Sequence, residues 1–151
     1  MQAKDIMLPR QHIIYGFIFS VLFYFIFHIP IIYAISMFLA SFLIDFDHYM
    51  TACMSEKRLL NYKEAFDFQI RQGIRLIKLA KKGIREYETF HVFHTVEFQI
   101  LIFILGVFVS PLFYFILMGM LFHIALDIYQ MRKLGVLHTR EFLLINYLRR
   151  S

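Results

Sequence analysis

The sequence predicts an all-α integral membrane protein, one membrane domain over residues 1–151, with four transmembrane helices in two hairpins and a basic amphipathic helical segment between them. Three observations predict it. First, 60% of the 151 residues are hydrophobic and 19% aromatic against 18% charged, well beyond the roughly 45–50% apolar of a soluble domain. Nineteen Phe and nine Tyr exceed what a water-soluble core of this size encloses, so lipid solvates much of the surface. Second, two long apolar blocks, Ile13 to Ile44 and Phe98 to Ala125, flank a polar, basic stretch from Ser55 to Glu88. Third, each block is too long for one crossing and carries a proline inside it. The first block would make a rod of roughly 48 Å, against a hydrocarbon layer of about 30 Å. Disorder is excluded by this composition, and a disulfide scaffold by the single Cys53, which has neither a CxxC partner nor a zinc-finger spacing.

The elements follow in order. Proline is favoured where a helix begins, because its missing N–H has no partner there. Pro30 and Pro111 therefore start the second helix of each hairpin. The expected helices run over about 9–28, 30–50, 89–109 and 111–131, with turns at His28-Ile29-Pro30 and Val109-Ser110-Pro111. The first is read as a retained span, since its run is too long for a signal peptide and no small-residue cleavage site follows. Over about 55–88, Phe66, Ile70, Ile74, Ile77 and Ile84 recur on one side, while Arg71, Arg75, Lys78, Lys82 and Arg85 lie largely elsewhere. This is the pattern of a basic amphipathic surface helix, broken near Gly73 or Gly83; a solvated helical hairpin is the plainer alternative. Residues 139–150 are expected as a short interfacial helix.

Charge sets orientation. Lys4 and Arg10 precede the first helix, nine Lys/Arg lie from Lys57 to Arg85, five follow the fourth helix, and neither turn carries one. The positive-inside bias puts both termini and the central segment in the cytoplasm, with the protein in the inner membrane. A net charge of +5 outside the apolar runs points to anionic phospholipid as a partner, and the absence of an aromatic-interleaved basic motif argues against nucleic acid.

Ionisable residues inside or at the ends of apolar helices each need a partner, since a charge at bilayer depth costs about 2.5–3.5 kcal/mol even on the mildest scale. Here they are His12, Asp45, Asp47, His48, His91, His94, Glu97, His123 and Asp127. Six of them, His12, Asp45, His48, His94, His123 and Asp127, lie roughly 18–27 Å from their own proline turns at 1.5 Å per residue, so four helices bring His and Asp to one level. Asp45 and His48, His91 and His94, and His123 and Asp127 are three or four apart, each pair on one helix face. Imidazoles and carboxylates from facing helices build metal sites in bundles. Eight such ligands suit two or more ions with a bridging carboxylate, for which Asp45 and Asp127 are the candidates. His12 and His91 are read as ligands or as ordinary interfacial histidines. Asp47, which faces away from Asp45 on an unbroken helix, is read as a ligand, a cap or a cation partner. Glu97 is read as the residue that orients His94, as a base, or as a partner of the basic segment. His28 and His138 are read as bystanders.

The ordered set His12, Asp45-Phe46-Asp47-His48, His94-Thr95 and His123-Ile124-Ala125-Leu126-Asp127 resembles the predicted membrane-bound metal-dependent hydrolases, a family distantly similar to the zinc-dependent phospholipase C and single-strand nuclease superfamily. The likeness spans most of the chain. Ile44 stands where the family usually has Pro, and Thr89-Phe90 where it has an His-Arg pair, so His91 falls outside the pattern. The resemblance implies a zinc-dependent phosphoester hydrolase; Asp45, Asp127 and Glu97 are the candidate catalytic carboxylates, Glu97 by its position beside His94 and not by the family pattern. A site at the cytoplasmic headgroup level favours a lipid phosphomonoester or phosphodiester, with Arg10, Arg132 or Lys133 to hold the anion. No Ser-His-Asp order, nucleophile elbow or phosphate-cradling glycine loop is present, so water is the attacker. Two other readings stand beside it. One is a noncatalytic metal-binding or metal-transporting protein, although transport sites favour the midplane. The other is a di-iron lipid oxygenase, whose histidine boxes are represented only by His91-x-x-His94.

Overall fold

The computed structural model describes residues 9–149 and is all-helical, with no strand among the described residues. Helices α1 (Pro9–Phe27), α2 (Ile31–Leu43), α3 (Phe46–Glu56), α4 (Tyr62–Lys81), α5 (Val96–Phe108), α6 (Leu112–Leu134) and α7 (Leu144–Leu148) follow one another, with single turns of 3-10 helix at Val92–His94 and Leu137–Thr139. Lys4 and Arg150, which figured in the charge argument and the tail, lie outside the described residues. Three stretches, Arg10–Phe27, Ile31–Glu56 and Leu112–Leu134, are long and apolar enough to cross a membrane. Their faces carry exposed Phe17, Phe25, Ile32 and Leu121, the side chains that lipid would cover.

The centre of the bundle is α6 against α2, with α1 beside α2 and α5 beside α6. Ala40, Ile44, Ile102, Met120 and Ile124 form its buried core. Phe19 stacks on Phe122 at 4.2 Å and Tyr33 on Phe115 at 4.4 Å, and such offset rings add to what their burial contributes. Gly119 allows the closest approach: a Cβ there would fall 2.1 Å from the Met37 carbonyl oxygen.

Four expectations change. The helix expected over 30–50 is broken at Ile44–Asp45, where Asp45 N–H bonds to Phe42 C=O (3.2 Å) and His48 N–H to Asp45 C=O (3.0 Å), a tightened i→i−3 turn. The helix expected over 89–109 begins only at Val96, where the Thr95 side chain accepts from Phe98 N–H. Its 13 residues span about 20 Å. The central helix is continuous through Gly73 and stops at Lys82 and Gly83, the latter at φ +72°, a left-handed conformation that glycine adopts freely. It starts from a capping box in which Asn61 and Glu64 satisfy each other's N–H. Its buried side chains are Ala65, Phe68 and Leu76 rather than the isoleucine stripe, because Ala65 and Phe68 pack with Ala52 on α3 and with Leu60 in the α3–α4 connection. Ile84 is exposed. Finally, the tail over 139–149 is helical only in α7; before it, Glu88 N–H bonds to Thr139 C=O and Val96 N–H to Phe142 C=O, lacing the tail to the stretch before α5.

Candidate metal centre

Four pieces of chain meet toward one end of the long helices. The first turn of α1 supplies His12, and the α2–α3 break supplies Asp45, Asp47 and His48. The segment before α5, which includes the 3-10 turn Val92–His94, gives His91 and His94, and α6 gives His123 and Asp127. Their ligand atoms assemble into four overlapping triads, each within 4.8 Å: His12, Asp45 and His123; Asp45, His48 and His94; Asp47, His48 and His91; and His94, His123 and Asp127. All eight residues expected as ligands are thus in one cluster, including His12, Asp47 and His91, for which a plainer reading was open. Asp47 joins because the tightened turn re-aims α3; on an unbroken helix it would point away from Asp45.

The cluster is buried and its atoms are unpaired. His12, Asp47, His91, His94 and Asp127 are under a tenth exposed and His123 is fully enclosed. His12 Nε2, Asp47 Oδ1, His91 Nδ1, His94 Nε2 and His123 Nε2 are buried without a hydrogen-bond partner. The carboxylate oxygens nearby approach but do not align: Asp45 Oδ1 is 3.2 Å from His123 Nε2 and 3.5 Å from His48 Nε2, and Asp127 Oδ1 is 3.4 Å from His12 Nε2. A buried orphan polar atom costs about 1–3 kcal/mol; these five lie within overlapping triads that could hold a metal ion, and imidazole nitrogen with carboxylate oxygen is a donor set that zinc accepts.

The opposite edges of the rings are held. His94 Nδ1 meets Asp47 Oδ2 at 3.0 Å, and the same oxygen accepts from Phe93 N–H at 2.9 Å. His123 Nδ1 donates to the Ser41 carbonyl at 2.7 Å. Such outer partners fix the tautomer and turn the other nitrogen's lone pair inward. Gln99 donates to Phe93 C=O (2.7 Å) and Thr51 to Phe90 C=O (3.2 Å), which pins the segment carrying His91 and His94.

Two residues of the site were not read from the sequence. Arg140 Nη1 bonds to Asp127 Oδ2 at 2.6 Å while its Nε and Nη2 grip both Glu88 oxygens at 2.8 and 3.2 Å. Glu88 Oε1 in turn lies 3.6 Å from His91 Nε2. Burial alone would raise the Glu88 pKa, but Arg140 and His91 outweigh it and hold the carboxyl well below its usual range. Both residues stand in polar stretches where charge is ordinary; the only signal was Glu88 three residues before His91. Arg10, Arg132 and Lys133, the expected cations, are exposed. Glu97 also lies elsewhere: its carboxylate accepts from Leu144 N–H (3.0 Å) and Ile145 N–H (3.3 Å), capping α7. His28 and His138 are exposed.

The cluster opens into a cavity of about 650 Å³ bounded by α4. No protein-family model, no curated protein and no solved structure matches the chain.

Proposed function

We propose that the chain is a membrane-bound, metal-dependent hydrolase that cleaves a lipid phosphomonoester or phosphodiester at the cytoplasmic headgroup level of the inner membrane. The observation that carries this is the convergence of eight His and Asp side chains with five unpaired, buried donor atoms. Asp47, His48 and His91 would hold one ion, and His94, His123 and Asp127 a second, with His12 and Asp45 grouped beside His123. Zinc so held supplies Lewis acidity, bringing water's pKa toward neutrality and neutralising phosphate oxygens.

The chain's own groups do the rest. Asp45 has 30% of its side chain exposed, against 4% for Asp47 and 11% for Asp127, and it lines the cavity. It is the most exposed carboxylate of the cluster, and one of its oxygens would accept a proton from a water whose oxygen bonds to phosphorus as the ester P–O bond breaks, the proton then passing to the departing ester oxygen. Arg140 keeps a fixed positive charge at the cavity wall while balancing Asp127 and Glu88. The topology is two hairpins with both termini and the Lys57–Arg85 segment cytoplasmic. α5 is the fourth crossing, its shortness met by local thinning and by the buried, non-α-helical stretch from His91 to Thr95 that continues it. Irregular backbone at membrane depth is tolerated where protein encloses it.

Metal analysis and turnover of a phospholipid and lipid-phosphate panel test this. At least two zinc ions per chain are expected, and Asp127→Asn and His123→Ala lower both metal content and turnover while His28→Ala and His138→Ala change neither. Iron in the purified protein would favour the oxygenase reading; zinc without turnover of any phosphoester, a noncatalytic metal protein; no metal would remove the site.

A further inference from the structure

The cavity beside the cluster carries its ionisable side chains where it meets the cluster, while Gln69 and Gln72 of α4 also line it. His12, Asp45, His48, Asp127 and Arg140 line that part; the remaining wall is mainly apolar, with Phe42, Phe46, Phe66, Ile70, Ile77 and Leu134 prominent. Its lining includes Ile13, Leu43 and Phe46, which are 41%, 52% and 54% exposed and belong to stretches apolar enough to cross a membrane, so the cavity has an apolar side open toward lipid next to the headgroup level. The far wall is α4. Its first half is packed on α3 through Ala65 and Phe68, and Gln69 Nε2 donates to the His48 carbonyl at 2.8 Å, which fixes the wall's register against a candidate metal ligand. The outer side of α4 carries exposed Arg71, Arg75, Lys78, Lys81 and Lys82, so the helix lies with cations toward headgroups and its other side on the cavity.

We infer that this cleft is the subsite for one long alkyl chain of the phosphoester substrate, which enters laterally from the bilayer and lies along α4 with its phosphate at the Arg140 end. The occupant follows from continuity: the apolar cleft, its lipid-side residues and the His/Asp cluster belong to one cavity of about 650 Å³, within the range of ligand pockets that are mostly apolar with a few convergent polar groups. Specificity for chain length then resides in Phe66, Ile70, Gly73 and Ile77. The head of the ligand rests on the hydrolase reading; the cleft stands on its own geometry.

The test uses the full chain in lipid nanodiscs with a hexadecyl phosphonate bearing a photoreactive diazirine near the chain end, followed by mapping of the labelled peptides. Labelling is expected on the α4 stretch around Ile70 and Ile77, reduced roughly tenfold in Ile70→Trp and in Gly73→Phe, the scale set by excluding a few methylenes from an apolar site. Zinc content of both variants reports that the site is folded. In parallel, the ratio of hexadecyl to butyl phosphate turnover falls by a similar factor in either variant. Labelling spread over α1 and α2 and indifferent to both substitutions would overturn the cleft, as would a turnover ratio that neither substitution moves. Site-specific labelling with no turnover of any phosphate would leave the cleft standing and overturn the hydrolase reading.

Discussion

Gly119→Ala couples packing to metal binding in one substitution. The new Cβ would lie 2.1 Å from the Met37 carbonyl oxygen and 3.2 Å from Ala40 Cβ. The obstacle is mainly backbone, so no side-chain rotation relieves it. Restoring even a tight separation of 3.0 Å parts α2 and α6 by about 0.9 Å, in an interior that does not compress. One turn further along each helix, Ser41 C=O accepts from His123 Nδ1 at 2.7 Å; the same displacement stretches that contact to about 3.6 Å, beyond a hydrogen bond. His123 then loses the partner that aims its Nε2. The expected costs are about 1–3 kcal/mol of stability from overpacking and roughly 10–100-fold in zinc affinity from the lost outer partner. Thermal unfolding in detergent and zinc titration against a chelating indicator measure the two. Gly16→Ala is the comparison: its Cβ meets Ser41 Oγ at 2.1 Å, a side-chain atom that swings aside at the loss of its bond to Phe38 C=O, and Ser41 Cβ at 3.0 Å, which asks for a shift of about a few tenths of an ångström, less than Gly119→Ala demands. Its zinc affinity stays near wild type. A Gly119→Ala protein with unchanged melting and unchanged zinc affinity would refute the claim that α2–α6 contact sets the site.

Three further outcomes are expected. Arg140→Met leaves Glu88 and Asp127 buried without their shared cation, and breaking such a group costs about 3–5 kcal/mol; denaturation in detergent checks it, and a loss under 1 kcal/mol would mean the triad contributes little. Asn61→Ala removes half of the capping box and destabilises α4 by about 1 kcal/mol, read as faster amide exchange in its first turn, with exchange at α6 as the internal control. For topology, cysteines placed at Lys78 and at Ser110 should react with impermeant reagents from opposite sides of the membrane, and reaction from one side would dismiss the two-hairpin arrangement.

Six residues of the cluster, His12, Asp45, His48, His94, His123 and Asp127, were legible in the sequence as one level because lipid makes polar residues expensive. In a soluble chain, His and Asp scatter over the surface without consequence; within apolar helices their depth and same-face spacing carry information, and a rise of 1.5 Å per residue turns residue counts into a common level. Proline position and hydropathy likewise located the long helices to within a few residues: α1 at Pro9–Phe27 and α6 at Leu112–Leu134 lie close to the expected 9–28 and 111–131.

Tertiary structure alone decided the rest. Whether Asp47 faces the cluster depends on the tightened turn at Ile44–Asp45, and that turn is set by where α3 must lie to pack Ala52 against Leu60 and Phe68. The non-α-helical path from His91 to Thr95 is held by Gln99, Thr51 and Asp47, partners up to 46 residues away. Arg140 reaches Asp127 because the tail runs back along the stretch before α5, tied by backbone bonds from Glu88 and Val96. Periodicity reports only which residues share a face of their own helix. Which face is buried, where a helix breaks and which distant charge completes a buried carboxylate are fixed by long-range packing and by the cost of leaving a buried polar atom unpaired.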